Sequence, residues 1–240
     1  MSTPATLEPT DRTRIRRGRN RAVADRAELF ALLADGLLAH LGVTVGDHPV
    51  VLPTAYAVDP EGPDRGGSLY VHGSVAARWL RESADATVCV TVTELDGLVA
   101  GRSAFHHSMN YRSAVVIGTA RVVEDPVERQ RALDLIVDHM IPGRSATLRP
   151  STRKELAATA VLAVPLHEAS MKARAGGPVD EPEDVEAGIW GGHIPIRRVA
   201  GDAVPAEDNL AGLGVPADVA ARAASRPAAG PVPQAPSGAA

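Results

Sequence analysis

A stretch in the first third of the chain combines a histidine, a glycine, a serine and an arginine. Residues 68–72 are typical of a short strand ending at His72, and Gly73 lets the backbone turn closely. The pattern predicts a short helix over residues 74–82 with Ser74 as its N-cap. Free N–H groups at that helix start, the Ser74 hydroxyl and Arg78 could face one anion, although an ordinary capped helix has the same pattern.

A second group lies near the middle of the chain and contains His106, His107, Tyr111, Arg112 and Ser113. Adjacent histidines in a strand point to opposite faces, so this pair is not predicted to bind a metal ion. Tyr111 and Ser113 share a face and could contact a phosphate or a ring together.

Two further candidates lie late in the chain. Lys172 and Arg174 share a face if their strand continues, and Lys172 is one of only two lysines in the chain. Gatekeeper charges on a solvated strand edge have the same pattern. Trp190 is followed by two glycines, so its large flat ring lies beside backbone without side chains and could contact a ligand. A tryptophan of the core or of an interface is the commoner explanation of this pattern.

Composition excludes several classes of protein. Of the 240 residues, 45% are hydrophobic and 22% are charged, as in an average soluble domain. No apolar run approaches the length of a membrane span, and a net charge of −4 argues against a nucleic-acid partner. The single cysteine, Cys89, excludes an internal disulfide and a multi-cysteine zinc site, and its strand context predicts an inert core residue. The first 21 residues do not read as a secretory signal, so a cytoplasmic location is expected.

Hydrophobic spacing predicts the elements that position these residues. Leucines every four positions predict a helix from Asp25 to Leu41, and Asp125-Pro126 is typical of the start of a helix reaching Met140. Asp96-Gly97 predicts a hairpin turn, and a further turn is expected near residues 108–110. Extended segments are predicted at 49–58, 68–72, 87–93, 98–106, 111–123, 156–170 and 189–199. Because hairpins join most of them, a mainly β, antiparallel sheet that closes on itself is expected.

Three regions differ in composition. Residues 1–22 form an Arg-rich N-terminal arm, which is expected to be either solvated or docked across a partner subunit. Residues 23–200 form the folded domain. Residues 201–240 are rich in alanine, proline and glycine, and they predict a mostly disordered tail after a short helical piece near Asp218 to Ala224.

Several of these segments together resemble a known family. They are Tyr70 to Ser74, Val88 to Thr93, His107 to Gly118, Pro142-Gly143-Arg144, Glu168 to Arg174, and Trp190-Gly191 with Ile194-Pro195. They resemble the flavin-binding relatives of pyridoxamine 5′-phosphate oxidase, and most closely the nitroimidazole-reductase-like branch. The resemblance extends from about Arg16 to Ile196, and the Tyr-Arg-Ser stretch at 111–113 is its most specific part.

This resemblance implies a six-stranded antiparallel split β-barrel with short peripheral helices, assembled as a homodimer with two FMN sites at the subunit interface. It places Pro53-Thr54 beside the isoalloxazine, and residues 72–74 with Arg78 near the phosphate and ribityl chain. Tyr111, Arg112 and Ser113 would lie on a neighbouring strand, and Lys172, Arg174 and Trp190 would reach the site from either subunit. His72 would lie at the reaction centre. Gly191 stands where an alanine is typical of the branch.

The implied activity is an FMN-dependent transfer of electrons or hydride from NAD(P)H to a small acceptor, such as a nitro compound. Two alternatives remain within the family. One is a flavin- or haem-binding protein without turnover of its own, and the other is a reductase that uses the deazaflavin F420. Neither a metal ion nor a membrane is implied.

Overall fold

A computed structural model describes residues 5–225, so the ends of the predicted arm and tail, residues 1–4 and 226–240, lie outside it. The strands are β1 Ala22–Val23, β2 Ala39–Val45, β3 His48–Thr54, β4 Tyr56–Asp59, β5 Ser68–Ser74, β6 Thr87–Ala100, β7 Ser108–Thr119, β8 Arg121–Val122, β9 Thr159–Pro165, β10 Ala169–Arg174 and β11 Gly192–Pro195. The helices are α1 Arg26–Asp35, α2 Arg78–Ser83, α3 Pro126–Met140, α4 Arg153–Ala158, α5 Pro182–Glu186 and α6 Ala217–Ala224.

The strands form two antiparallel sheets. The larger sheet has the order β1-β10-β7-β6-β2-β3, and β11 pairs with the end of β6 that β2 does not cover. The smaller sheet has the order β4-β5-β9-β8. The chain passes from one sheet to the other through single residues, Ala55 between β3 and β4 and Ala120 between β7 and β8. The predicted mainly β, antiparallel architecture is therefore confirmed. The predicted count of six strands is not, since residues 5–225 contain eleven.

Alternation along β6 defines the two faces of the larger sheet. Val88, Val90 and Val92 are no more than 2% exposed and point into the core, while Cys89 and Thr93 point outward. The core lies between this inner face and the smaller sheet, and α1 closes it with three leucines. Burying one such side chain contributes about 2 kcal/mol. Cys89 is therefore a half-buried residue of the outer face and not the core residue that its strand context predicted.

Helix α1 is shorter than the leucine spacing predicts. Asp25 caps it by accepting a hydrogen bond from the Ala27 N–H at 2.8 Å, and the helix ends at Asp35. Gly36 then leaves the helical conformation, and Leu41, the last leucine of the spacing, lies in β2. A Cβ on Gly36 would lie 2.5 Å from Val92, so the close approach of the sheet requires glycine there.

The hairpin predicted at Asp96-Gly97 is wrong. Strand β6 continues through both residues with a bulge between Leu95 and Gly97, and it turns only at residues 101–107. The turn predicted near residues 108–110 is wrong for the same reason, because β7 already begins at Ser108. Gly97 is required by a tertiary contact, since a Cβ there would lie 2.8 Å from the Ile194 carbonyl oxygen.

Helices elsewhere agree only partly with the sequence expectations. Asp125 accepts hydrogen bonds from the N–H groups of Val127 and Glu128, so the predicted helix ending at Met140 is confirmed as α3. The extended segment predicted over 156–170 is interrupted, because α4 occupies its first residues behind a capping box of Thr152 and Glu155.

The C-terminal segment contains the predicted short helix, and this helix is docked. The residues of 201–216 are exposed except Ala203, but α6 places Asp218 3.3 Å from the Arg144 guanidinium. Burial alone would raise the pKa of Asp218, but its hydrogen bonds and Arg144 lower that pKa overall. The sequence alone predicts that deletion of residues 211–240 leaves the fold and cofactor binding nearly unchanged. The Asp218 contact argues instead that α6 contributes to stability.

We expect Asp218→Asn to lower the free energy of unfolding by about 1 kcal/mol, because the ion pair with Arg144 is lost. Urea unfolding monitored by circular dichroism measures this. Asp202→Asn, in the exposed part of the same segment, is the matched control and should change nothing. Equal stabilities of the two variants would show that α6 is not held by this pair.

A half-buried histidine makes stability depend on pH. His139 Nε2 lies 2.7 Å from the Gly36 carbonyl oxygen, and its ring contacts Tyr56. Burial lowers the pKa of His139 below its unfolded value, and the nearby Arg222 and Arg198 lower it further. The unfolded chain therefore binds this proton more tightly than the folded chain does.

We therefore expect stability to fall as the pH drops below about 6.5, the unperturbed pKa of histidine. His139→Gln keeps a donor for Gly36 but does not titrate, so its stability should depend less steeply on pH. Urea midpoints measured between pH 8 and pH 5 check this. Identical pH slopes for the two proteins would show that His139 does not contribute.

Candidate functional site

A polar row crosses the outer face of the larger sheet. Thr93 on β6, Ser113 on β7 and Lys172 on β10 are register partners on three neighbouring strands. The Thr93 and Ser113 hydroxyl oxygens lie 3.0 Å apart, and Lys172 Nζ donates to the Arg17 carbonyl oxygen at 3.0 Å. The residues that alternate with them, such as Val92 and Ala114, are buried in the core. The row therefore presents two hydroxyls and an ammonium group to the outside.

The next row along the same strands adds a ring and a guanidinium. Tyr111 is the register partner of Arg174 and of Leu95. Arg174 donates to Asn110 Oδ1 at 2.5 Å and to the Gly177 carbonyl oxygen at 2.9 Å. Within residues 5–225, no carboxylate forms an ion pair with Lys172 or Arg174. These two cations are therefore available to an anion.

Pro53 lies on the same outer face. Its register partner is His40 on β2, and the same row of partners continues through Thr91 and Val115 to Ser170. Three strand spacings separate β3 from β7, or about 14 Å. Five of the predicted site residues share this face, namely Pro53, Tyr111, Ser113, Lys172 and Arg174. Thr54, the next residue, donates its hydroxyl proton to the Ala55 carbonyl oxygen.

His72 lies elsewhere, on β5 in the smaller sheet. Its register partner is Val161 on β9, so β5 is not a neighbour of β7 and the structure does not join His72 to Ser113 in one sheet. The Nδ1 atom of His72 is buried and has no hydrogen-bond partner within the described residues. Burial lowers the pKa of His72, which favours the neutral imidazole.

The segment after His72 does not form the predicted capped helix. Helix α2 begins only at Arg78, after Ala77, while Ser74 accepts a hydrogen bond from the Ala76 N–H in a local turn. A Cβ on Gly73 would lie 2.8 Å from the Trp79 ring, so glycine allows that ring to pack on the strand end. The six-residue α2 and its start therefore supply no preformed anion site.

Arg78 and Arg112 both form ion pairs with carboxylates. Arg78 Nε donates to Glu82 at 2.5 Å. Arg112 points away from the outer face and donates to Asp35 at 2.9 Å and to Asp96 at 3.0 and 3.1 Å. These hydrogen bonds raise the pKa of Arg112. Neither guanidinium is free for a ligand in this arrangement.

Trp190 lies far from the polar row. Its side chain is 69% exposed and its ring packs over Gly192, just before β11. Strand β11 pairs with the end of β6 near Ala100, whereas Thr93 lies seven residues earlier in that strand. The structure therefore does not bring Trp190 to Ser113 within one chain.

Sequence reasoning missed three residues of the outer face. Thr93 and Thr91 were visible in the alternation of β6, which places both opposite the buried valines. His40 was hidden, because the leucine spacing assigned it to a helix while it lies in β2. A strand residue becomes recognisable as a site residue only when its cross-strand partners are known.

Comparison with known proteins identifies the family. The family profile described as pyridoxamine 5′-phosphate oxidase matches residues 25–173, more than half of the chain. The chain belongs to the pyridoxamine 5′-phosphate oxidase family. The predicted family is thereby confirmed, and a search of curated proteins gives no match.

Two solved structures of this family are similar over most of both chains. The flavocytochrome Anf3 from Azotobacter vinelandii is 36% identical, with a TM-score of 0.81 over 88% of this chain and 96% of that chain. An FAD and haem binding protein from Mycobacterium smegmatis is 39% identical, with a TM-score of 0.77 over 84% and 97%.

A protein assigned to 5-nitroimidazole antibiotic resistance in Bacteroides thetaiotaomicron shares the fold. It is 20% identical, with a TM-score of 0.51 over 63% of this chain and 85% of that chain.

Neither a metal cluster nor a membrane span is found in the described part of the chain. Residues 5–225 contain no group of three or more His, Cys, Asp or Glu side chains that could hold a metal ion. Over the same residues, no helix combines the length and apolar character needed to cross a membrane. His106 lies in a 3₁₀ helix and not in a strand, and it does not join His107 in such a group.

Proposed function

We propose that this protein is a flavin-dependent oxidoreductase whose flavin lies along the outer face of the larger sheet. The observation that carries the proposal is the pair of unpaired cations, Lys172 and Arg174, beside the Ser113 and Thr93 hydroxyls. A flavin nucleotide carries phosphate next to a polar chain and an apolar ring system. Charge-assisted hydrogen bonds from ammonium and guanidinium groups suit such a phosphate.

The donor set of the chain fits a flavin. Lys172 and Ser113 would hold the phosphate of the flavin. Tyr111 and Pro53 would orient its rings, and the sheet would exclude water from one face of the rings. When bound, a flavin accepts or donates an electron pair as hydride. His72 Nδ1, buried and unpartnered in its neutral form, could accept a proton there if a second copy of the chain completes the site.

Homodimer formation through the same outer face is part of the proposal. Leu95, Leu98 and Val51 lie on this face and are 40%, 45% and 64% exposed. Leu98 stands in a row with Ile194 and Met109, which are 58% and 53% exposed. A second copy that covers these side chains would bury a stable apolar interface and could bring its own residues 72–78 to the flavin.

We expect a homodimer in the flavin-loaded state, and Leu98→Glu should dissociate it because a buried charge at the interface is unfavourable. Light scattering of the purified protein at micromolar concentration measures the mass. Val179→Glu, at another exposed apolar position, is the control and should leave the mass unchanged. A flavin-loaded wild-type monomer would contradict the assembly.

Cofactor and activity are tested together. The absorption spectrum of the purified protein shows whether flavin is present, and mass spectrometry of the released cofactor distinguishes FMN, FAD and F420. Steady consumption of NADH or NADPH with a panel of small acceptors, including nitro compounds, tests turnover. A colourless protein that binds no added flavin would contradict the proposal.

A second function is favoured by the comparisons. Two relatives above 35% identity are described as a flavocytochrome and as an FAD and haem binding protein. An electron-transfer protein that binds both flavin and haem is therefore the alternative, with FAD in place of the FMN expected from the sequence. A Soret band in the spectrum without acceptor-dependent NAD(P)H consumption would favour this alternative.

A further inference from the structure

Two segments at one end of the larger sheet are joined by an ion pair. Residues 101–107, which connect β6 to β7, and residues 175–191 together form what we call the acidic lobe. The Arg102 backbone N–H and guanidinium donate to Asp180 at 2.9 and 2.7 Å, and the Asp180 side chain is not exposed. Asn110 on β7 donates to the Gly176 carbonyl oxygen at 3.1 Å. The acidic lobe is therefore fixed to the end of the β6–β7 pair.

The surface of the acidic lobe carries negative charge that the chain does not compensate. The carboxylates lie in or directly beside α5 and belong to Glu181, Glu183, Asp184 and Glu186. Within residues 5–225, no lysine or arginine forms an ion pair with any of them. A partner that covers this surface must therefore be positively charged.

Exposed aromatic rings accompany these carboxylates. Phe105 and Trp190 are 90% and 69% exposed, which is unusual for large apolar side chains. His106 Nε2 lies 3.9 Å from Glu181, and the His106 ring centroid lies 5.2 Å from that of Phe105. A ring and a carboxylate are thus close together, and an arginine can bind to both kinds of group.

The N-terminal arm carries the opposite charge. The Leu7 N–H donates to the Ala24 carbonyl oxygen at 2.7 Å, and Lys172 Nζ donates to the Arg17 carbonyl oxygen at 3.0 Å, so the arm is fixed beside β10. Arg16, Arg17 and Arg19 are exposed, and none of them forms an ion pair with a carboxylate in the described part of the chain.

The arm and the acidic lobe both border the outer face of the larger sheet. The arm leads into β1, which is the edge strand beside β10, and the acidic lobe lies where β6 ends and β7 begins. Each segment is held in place by its own hydrogen bonds, and no ion pair joins the two within residues 5–225. Their complementary charges are therefore available to another molecule.

We propose that the acidic lobe of one copy of the chain binds the Arg-rich arm of a second copy. The arginines of the arm pair with the carboxylates of α5 and stack on Phe105 and Trp190. A two-fold axis through the outer face brings the border of one copy against the border of the other, and each contact then occurs twice. The proposal rests on the homodimer of the proposed function, and it adds two surfaces that lie outside the flavin-binding rows.

Two charge reversals test the contact. The arm variant combines Arg16→Glu with Arg19→Glu, and the lobe variant combines Glu183→Lys with Glu186→Lys. Sedimentation velocity of flavin-loaded protein at low salt measures the dissociation constant of the dimer. We expect each variant alone to raise this constant about tenfold or more, because like charges then face each other across the interface.

An equimolar mixture of the arm variant and the lobe variant distinguishes a contact between copies from one within a chain. In a mixed dimer the reversed arm meets the reversed lobe, and the unchanged arm meets the unchanged lobe, so the dissociation constant should return nearly to the wild-type value. Arg153→Glu combined with Lys154→Glu, in exposed positions of α4, changes the net charge as much as the arm variant does and should have no effect.

Rescue in the mixture would support the proposal. Variants that dimerise as tightly as the wild type, or weakened variants without rescue in the mixture, would overturn it. Leu98→Glu is measured alongside and tests the outer-face dimer independently. A wild-type dimer that Leu98→Glu dissociates, but that neither charge reversal weakens, would thus reject the contact of arm and lobe and leave the proposed function intact.

Discussion

Replacing Lys172 by methionine is expected to weaken FMN or FAD binding by about tenfold to more than a hundredfold. The substitution keeps the length and apolar stem of the side chain but removes the ammonium group that faces Ser113 across the strand pair. A lost charge-assisted hydrogen bond costs about 1.5–3 kcal/mol, which corresponds to that range of affinity. Fluorescence titration of flavin-free protein measures the dissociation constants.

Two controls make this result specific. Lys154→Met removes the other lysine of the chain, which is exposed in α4, and should leave flavin affinity unchanged. Riboflavin lacks the phosphate, so its affinity should not respond to Lys172→Met. A parallel loss for FMN and riboflavin would instead mean that Lys172 supports the sheet and does not contact the phosphate.

Ser113→Ala tests the neighbour of Lys172 in the same row and should also weaken the phosphate-bearing flavins while sparing riboflavin. Sequence reasoning alone predicts the same for Arg78→Ala. The ion pair of Arg78 with Glu82 argues for a smaller effect at that position. A large loss of FMN affinity in Arg78→Ala, but none in Ser113→Ala, would move the phosphate to the start of α2.

The largest expected loss of stability comes from Arg121→Met. The Arg121 guanidinium forms hydrogen bonds to both oxygens of Asp64 at 2.8 and 2.9 Å, and it also contacts Glu128. The two carboxylates are only 10% and 16% exposed, and Tyr70 donates its hydroxyl proton to Glu128 at 2.9 Å. Without the arginine, two nearly buried negative charges would face each other uncompensated.

Removal of one partner from a buried ion pair typically costs about 3–5 kcal/mol, and we expect a loss of that size in the free energy of unfolding. The hydrogen bonds that Arg121 donates to both carboxylates also raise the pKa of Arg121, so the guanidinium stays charged at every pH of interest. Urea unfolding measures the loss. Arg153→Met, an exposed arginine without an ion pair among the described residues, should be nearly neutral, and a similar result for Arg121→Met would show that the network does not stabilise the fold.

Local chemistry was sufficient for those features that depend only on nearby residues. Alternation of valine and threonine in β6 determined which face of the strand is buried, since successive side chains of a strand point to opposite sides. Asp125-Pro126 determined the start of α3, because its cap uses only the first turn of the helix. The family also followed from local motifs, and the comparisons confirm it.

Features that depend on distant partners were decided only by the tertiary structure. Asp96-Gly97 is a favourable hairpin sequence, yet β11 approaches Gly97 so closely that the strand continues through it. The leucine spacing fits a helix up to Leu41, yet pairing of β2 with β3 and β6 places Ala39 to Leu41 in a strand. Hydrogen bonds to two neighbouring strands outweigh a local helical preference of a few tenths of a kcal/mol per residue.

The candidate site likewise depends partly on local sequence and partly on tertiary structure. Sequence alone selected Ser113, Lys172 and Arg174 by residue type, but their arrangement as adjacent rows depends on the register of three strands that are far apart in the chain. Whether an arginine is free depends on carboxylates elsewhere, and only the folded chain shows that Arg112 and Arg78 are paired with carboxylates. Residue types are local properties, whereas register and charge compensation arise from long-range contacts, and so the tertiary structure decides which of the selected residues can bind.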